Sequence, residues 1–350
     1  MTHRPRLLLL SMYPLDQGSW GATTRIRNMR DALASMVDLD VVSGYRPGRR
    51  AALIRYALSG RLRSLDGIYV ENSTTLPAEM DIAFLALARS LGIPVLTYIR
   101  DAQQLFAEYY AADNLRRRAS RALFLPAMRA LGAVSTRIAF PSAGLAGAVL
   151  RDPSRAALLP PGARPPVEIP ASPDANQLLF VGGLNYPVQG ADLLFVAVEI
   201  ARGRGHPVEL TCVSRPHEEP PRPHPTWLHI RRGGPDEIER LLPGVIASVT
   251  PRRRSPYNDL AVPIKVLEYL SYGRPLLVTD CEETAAIVRS AECGIVVRDT
   301  ADELADGIAA VFEASVDRRE QWGAAARAAA RVNSWEHRAR QVLTELGLAA

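Results

Sequence analysis

Apolar positions along the chain follow two alternating rhythms. Continuous apolar runs of four to seven residues predict buried strands at 6–12, 38–43, 67–70, 94–99 and 136–140. Between them, apolar residues at three- and four-residue spacing predict helices near 22–36, 49–60, 78–91, 115–131 and 142–150. Pro160 to Pro173 then carries six prolines in fourteen residues, too stiff and donor-poor for an interior element, and predicts an interdomain linker. A second series follows, with strands near 177–183, 207–213, 245–250, 275–279 and 293–297 and three terminal helices from about residue 300. Strands alternating with helices imply parallel α/β sheets. The expected division is a first domain over 1–163, a linker at 164–176, a second domain over 177–332, and a last helix at 333–350 that returns to the first domain.

The densest chemistry lies between Arg252 and Thr279, RRRSPYNDLAVPIKVLEYLSYGRPLLVT. Val262, Val266, Leu267 and Leu270 give a helix, Pro263 suits its first turn, where a missing N–H is harmless, and Gly273 stops it. Lys265 and Glu268 are three residues apart and project from one side of that helix. A cation at a helix start suits a diphosphate, and a carboxylate one turn on suits the hydroxyls of a ribose. The same spacing also describes a solvated surface pair worth roughly 0.2–0.5 kcal/mol.

Composition narrows the classes. A chain of 350 residues implies two domains with ample cores, and 47% apolar residues imply a globular chain. Lys and Arg exceed Asp and Glu by 42 to 37, a net charge of +5, which fits an anionic ligand or surface better than nucleic acid. Cys212, Cys281 and Cys293 have no metal-ligand spacing and are odd in number, so they predict apolar packing in a reducing compartment rather than disulfides. Leu7–Leu10 is too short for a leader peptide and reads as the first strand. No run approaches the roughly 18 to 20 apolar residues of a membrane span, so the expected location is cytoplasmic, with any membrane contact peripheral. His217 and His224 lie in a proline-rich loop at a spacing that fits no usual metal site, and no metal is expected.

Several motifs in order carry a family resemblance: LLFVGGLNYP at 178–187, PIKVLEYLSYGRPLLVT, ECGIVV at 292–297 and NSWEHRA at 333–339. In the first half they are joined by QGSWGATTR, YIRDAQQLF at 98–106, FPS at 140–142 and LLPPGA at 158–163. Together they resemble GT-B glycosyltransferases, and most closely glycosyltransferase family 4. The resemblance implies two Rossmann-like parallel-sheet domains around a central cleft. It also implies transfer of a sugar from a nucleoside diphosphate, with retention of configuration and no cofactor beyond that co-substrate.

Position by position, the resemblance assigns Lys265 to the donor diphosphate, Glu268 to the ribose, and Gly182 and Gly183 to close backbone approach of the phosphates. It places Gly18, Gly21 and Arg25 on the acceptor side, together with Arg100 and Asp101 at a strand end. Asp101 is the candidate base if the enzyme inverts, and otherwise a hydroxyl ligand or a helix cap. The family often has an Arg–Lys pair where this chain has Gly183 and Gln189, and a glutamate where it has Leu260. Arg252 from the three-arginine run would replace the missing charge, with Asn258 and Asp259 reaching the sugar.

Residues 114–131, NLRRRASRALFLPAMRAL, combine five arginines with apolar positions, which suits either a self-packed surface helix or an anionic membrane face. The membrane reading predicts a lipid-linked, envelope or glycan acceptor and a place at the inner face of the cell membrane. A nucleotide-sugar epimerase would need more histidines and carboxylates in the matched turns, and an oxidoreductase would need a glycine fingerprint that is absent. An inactive GT-B-like binding or scaffold protein is the alternative that the missing glutamate leaves open.

Overall fold

A computed structural model describes residues 4–15, 21–72, 76–184, 187–214, 218 and 224–348. The chain divides into two units: the first comprises Met1–Gly162 with Trp335–Ala350, and the second comprises Ala163–Ser334.

In the first unit, β1 (Arg6–Ser11), β2 (Asp38–Ser43), β3 (Gly67–Glu71), β4 (Val95–Tyr98), β5 (Arg137–Phe140) and β6 (Ala156–Leu158) form one sheet, in the order β2-β1-β3-β4-β5-β6. Every pairing is parallel. Leu7 to Leu10 are fully buried, as expected of an inner strand covered on both faces. The covering helices are α1 (Gly21–Ala34), α2 (Arg46–Leu58), α3 (Glu79–Ser90), α4 (Leu115–Ala133) and α5 (Ala143–Val149).

The second unit repeats the plan with β7 (Gln177–Val181), β8 (Glu209–Val213), β9 (Leu228–Arg231), β10 (Val245–Thr250), β11 (Leu276–Thr279) and β12 (Gly294–Val297), ordered β12-β11-β10-β7-β8-β9. Its helices are α6 (Ala191–Gly203), α7 (Pro235–Leu241), α8 (Pro256–Leu260), α9 (Ile264–Ser271), α10 (Glu282–Ala291), α11 (Ala301–Glu313) and α12 (Val316–Val332). Strand order reverses between β7 and β10, so the loops leaving those two strands diverge and open a crevice at the carboxyl edge of this sheet.

The last helix, α13 (Trp335–Glu345), belongs to the first unit, where Trp335, Ala339 and Val342 join Leu7, Leu9, Ile26 and Tyr98 in one core. Gly162 makes that return fit, because a Cβ there would lie 2.5 Å from the Trp335 ring. The proline-rich segment is packed rather than free: the Val167 N–H donates to the Ser271 carbonyl at 2.9 Å, and Arg274 donates to the Ile169 carbonyl at 2.9 Å. Proline removes donors from this stretch, and the second unit supplies partners for what remains.

Ten strands lie where the apolar runs predict them, but β6 and β9 were not expected. Both are edge strands of three and four residues. The three cysteines are free and buried, as their apolar surroundings predict.

Candidate functional site

The crevice in the second unit is built from three pieces. The sheet delivers β7 into the Gly182–Gly183 turn, and the Tyr269 hydroxyl on α9 accepts the Val181 N–H at 2.7 Å, tying helix to strand. A Cβ on Gly182 would stand 3.2 Å from both the Lys265 ammonium and the Phe180 ring, so only glycine leaves this wall open. Gly190 starts α6 with φ +73°, and a Cβ there would fall 1.6 Å from the Pro251 carbonyl. That contact pins the start of α6 against the loop leaving β10.

Lys265, in the first turn of α9, donates to Gln189 Oε1 at 2.9 Å and lies 4.7 Å from the centre of the Phe180 ring. Burial, reinforced by the nearby Arg252 charge, lowers its pKa to about 7. Arg252 is buried at 5% exposure and donates through Nη2 to Asn258 Oδ1. Two cations therefore sit close together with no carboxylate among the described residues bonded to Lys265, a local charge imbalance that an anion would relieve. Glu268, one turn along α9, is half-buried. Burial raises its carboxyl pKa, opposed by Arg164, and the carboxylate accepts no hydrogen bond among the described residues. It is an open acceptor for a pair of hydroxyls.

The arginine run divides by side. Arg252 points inward, Arg253 pairs with Asp192 at 2.7 Å, and Arg254 grips Asp259 through Nε at 3.2 Å and Nη2 at 3.0 Å. Asp259 also accepts the Glu282 N–H at the start of α10 at 3.3 Å. Asn258 is 1% exposed and donates to the Arg253 carbonyl at 2.6 Å. Both residues, expected to reach a sugar, instead brace the loop between β10 and α9. The physical reason is local: an arginine-rich loop next to a helix start recruits the nearest carboxylate and amide. Leu260 ends α8 in a half-buried position.

In the first unit, Arg100 and Asp101 follow β4 as predicted. Arg100 donates to the Tyr13 hydroxyl at 3.0 Å, and Asp101 accepts from Gln103 at 2.9 Å. The cap of the following turn is Ala102, not Asp101. Arg25, expected on the acceptor side, is completely buried: it donates to Glu71 at 3.2 Å and to the Tyr69 hydroxyl at 3.3 Å, and stacks 3.7 Å from the Tyr98 ring centre. It shares the inward stripe of α1 with Ile26 and Met29, so its place is in the core. Gly21 is the first residue of α1, and Gly18 lies outside the described residues.

Residues that sequence reasoning did not assign are Gly190, Arg164, Phe180 and Glu218. Gly190 carries a readable sign, a glycine directly before a helical apolar pattern. Glu218 carries none. Its carboxylate accepts the Leu184 N–H at 2.9 Å, and a Cβ on Gly183 would lie 3.1 Å from it. Among the described residues, no three His, Cys, Asp or Glu side chains group as a cation site, and no helix is long and apolar enough to cross a membrane.

Residues 175–314 match the family model described as glycosyl transferases group 1. No curated protein matches the chain by sequence. Among solved structures, sucrose-phosphate synthase from Thermosynechococcus elongatus is similar with a TM-score of 0.69 at 14% identity, over 97% of this chain and 98% of that one. Anabaena HepE, solved in complex with UDP-glucose, is similar with a TM-score of 0.65 at 14% identity, over 99% and 100%. A glycosyltransferase from Rickettsia africae gives 0.66 at 12% identity, over 98% of each chain. With two six-stranded parallel sheets and near-complete overlap with these structures, the chain has the GT-B fold, and its residues 175–314 form a glycosyl transferases group 1 domain.

Proposed function

We propose that the second unit binds a nucleoside-diphosphate sugar, with the diphosphate on Lys265, Arg252 and the Gly182–Gly183 turn, and the ribose on Glu268. One observation carries this reading: two adjacent, poorly exposed cations lie at the strand-order reversal, and an unbonded carboxylate stands one helical turn away. An anion restores the balance that burial disturbs, and a vicinal diol satisfies the carboxylate.

As the glycosidic bond breaks, negative charge grows on the distal phosphate. Lys265, Arg252 and the start of α9 stabilise it without a metal, because they are already fixed in place. In a retaining reaction the departing phosphate takes the acceptor proton, and no basic side chain is needed for that step. In an inverting one Asp101 takes the proton. Retention, membership of family 4 and a role in polysaccharide assembly are the finer parts of the proposal. On the acceptor side, the arginine-rich face of α4 supports an anionic membrane surface as partner, with a lipid-linked, envelope or glycan acceptor.

A thermal-shift panel of uridine, guanosine, adenosine and thymidine diphosphates and their sugars tests the donor site. UDP-glucose comes first, since the similarly folded HepE is in complex with it. Stabilisation scales with ligand concentration over dissociation constant, so millimolar donors raise the melting temperature even when binding is weak. The shift is expected to vanish in Lys265→Ala and Glu268→Ala. No shift with any nucleotide overturns the reading, and binding without release of nucleoside diphosphate would leave only a nucleotide-sugar binding protein.

A further inference from the structure

The first unit has a cavity of its own, of about 800 Å³, within the size range of small-molecule sites. Its walls are the start of α2, the start of α4 and the loop after β4, and no Asp or Glu among the described residues lines it. Three arginines open onto it: Arg46, Arg116 and Arg117. Arg46 donates to the Leu76 carbonyl at 2.6 Å, and Arg117 reaches Asp113 and the Ala111 carbonyl, each at 3.3 Å. Arg116 makes no hydrogen bond or ion pair among the described residues. Arg49, which also lines the cavity, is neutralised by a bidentate pair with Asp81 at 2.8 and 2.7 Å.

These charges stand against the usual order of a helix. Helix starts favour acidic residues, because the exposed N–H groups carry partial positive charge. Neither α2 nor α4 has an acidic residue in its first turn, and each carries arginines there instead. Within one helix that arrangement is self-repelling. A shared anion between the two starts reverses its sign. Apolar groups adjoin the same walls: Leu123 is 52% exposed and Tyr45 64% exposed, at the rim of the cavity. Among the described residues, nine of the twelve large exposed apolar side chains belong to the first unit, and Tyr45 and Leu123 are the two of them that line the cavity.

We propose that the cavity between the starts of α2 and α4 binds a phosphate or diphosphate monoester carried on an apolar chain, and that this amphiphile is the acceptor-side ligand. The anion is held by Arg46, Arg116 and Arg117, and the chain leaves past Tyr45 and Leu123. The word acceptor rests on the sugar-transfer reading; the binding does not.

The test is calorimetric titration with dodecyl phosphate below its micellar concentration, in a Lys265→Gln background that silences the anion site of the second unit. Saturable binding at one site is expected. Arg116→Gln with Arg117→Gln should weaken it at least about tenfold, since two charge-assisted contacts are lost. Arg116→Gln alone gives the same direction and removes no internal partner, which covers the case in which the double variant fails to fold. Dodecyl maltoside should not bind, and inorganic pyrophosphate should bind about tenfold or more weakly than the alkyl phosphate, lacking the chain. No binding of dodecyl phosphate, equal binding by the variants, equal binding of the maltoside, or pyrophosphate binding as tightly each overturns the proposal. Binding to phosphatidylglycerol vesicles without binding of the monomer also overturns it, because the occupant is then a membrane surface. Absence of any nucleotide thermal shift in the chain with Lys265 intact, with alkyl phosphate binding retained, strikes the donor reading alone.

Discussion

The two units share one architecture and carry charge in opposite ways. The first holds 23 Lys and Arg against 14 Asp and Glu, a formal net charge of +9, whereas the second holds 19 against 23, a net of −4. Yet the proposed donor site is in the acidic unit. There Lys265 and Arg252 are confined at the strand-order reversal, while Arg253 and Arg254 are occupied by Asp192 and Asp259. In the basic unit the arginines of α2 and α4 lie mostly on the surface, and the most buried cation, Arg25, is closed inside the core with Glu71 and Tyr98. An anion site is therefore suggested by cations that are desolvated and held close together, and net charge describes what surrounds it.

The sharpest way to break this contrast is to remove the cation of the acidic unit. Lys265→Ala should reduce turnover of the nucleotide sugar by about 10²–10³-fold, as for loss of one preorganised contact to the developing charge, in a steady-state assay of released nucleoside diphosphate. The first unit gives a structural counterpart. Trp335→Ala should destabilise it by about 3–5 kcal/mol, the range for emptying a large aromatic from a core, read as an early melting step that donor does not rescue. Glu268→Ala should weaken donor binding by about 1.5–3 kcal/mol, the range for hydrogen bonds to a charged group, measured by calorimetry.

Acidity sharpens the contrast further. Free Lys265 titrates near pH 7, and a bound diphosphate holds the proton on and raises that value. Above pH 7 the complex then binds more protons than the free protein. Donor affinity should stay level below pH 7 and fall above it by up to about tenfold per pH unit until the raised value is reached. A flat profile from pH 6 to 9 would remove Lys265 from the diphosphate. The smallest effect is expected at Asp259→Asn, which loosens an exposed ion pair and should leave donor affinity within about threefold of wild type. A larger loss would return Asp259 to the sugar.

Much of the candidate site was legible because the two side chains proposed to hold the donor share one helix. Lys265 and Glu268 need only helical spacing to lie on one side, and the Gly182–Gly183 turn only the end of a buried run. The bonds that Asn258 and Asp259 make were less legible: Arg252 and Arg254 curl back onto them, and the Glu282 N–H at the start of α10 donates to Asp259. Arg25 looked like a reaching side chain, but the inward stripe of α1 turned it into the core, where Tyr98 and Trp335 receive it. The strands missed, β6 and β9, are edge strands too short to establish an alternation, the first of them followed closely by Pro160 and Pro161.

The sequence by itself determined the rhythm of strands and helices, the glycine turns, and the lysine and glutamate of α9, because each depends on residues near one another in the chain. Only the tertiary structure decided the order of the strands, the core partners that α13 meets in the first unit and the pairing of each arginine. Those outcomes depend on which distant groups meet once water is excluded. An arginine run reads the same whether its charges are buried, paired or free, and the fold alone assigns each of them its partner.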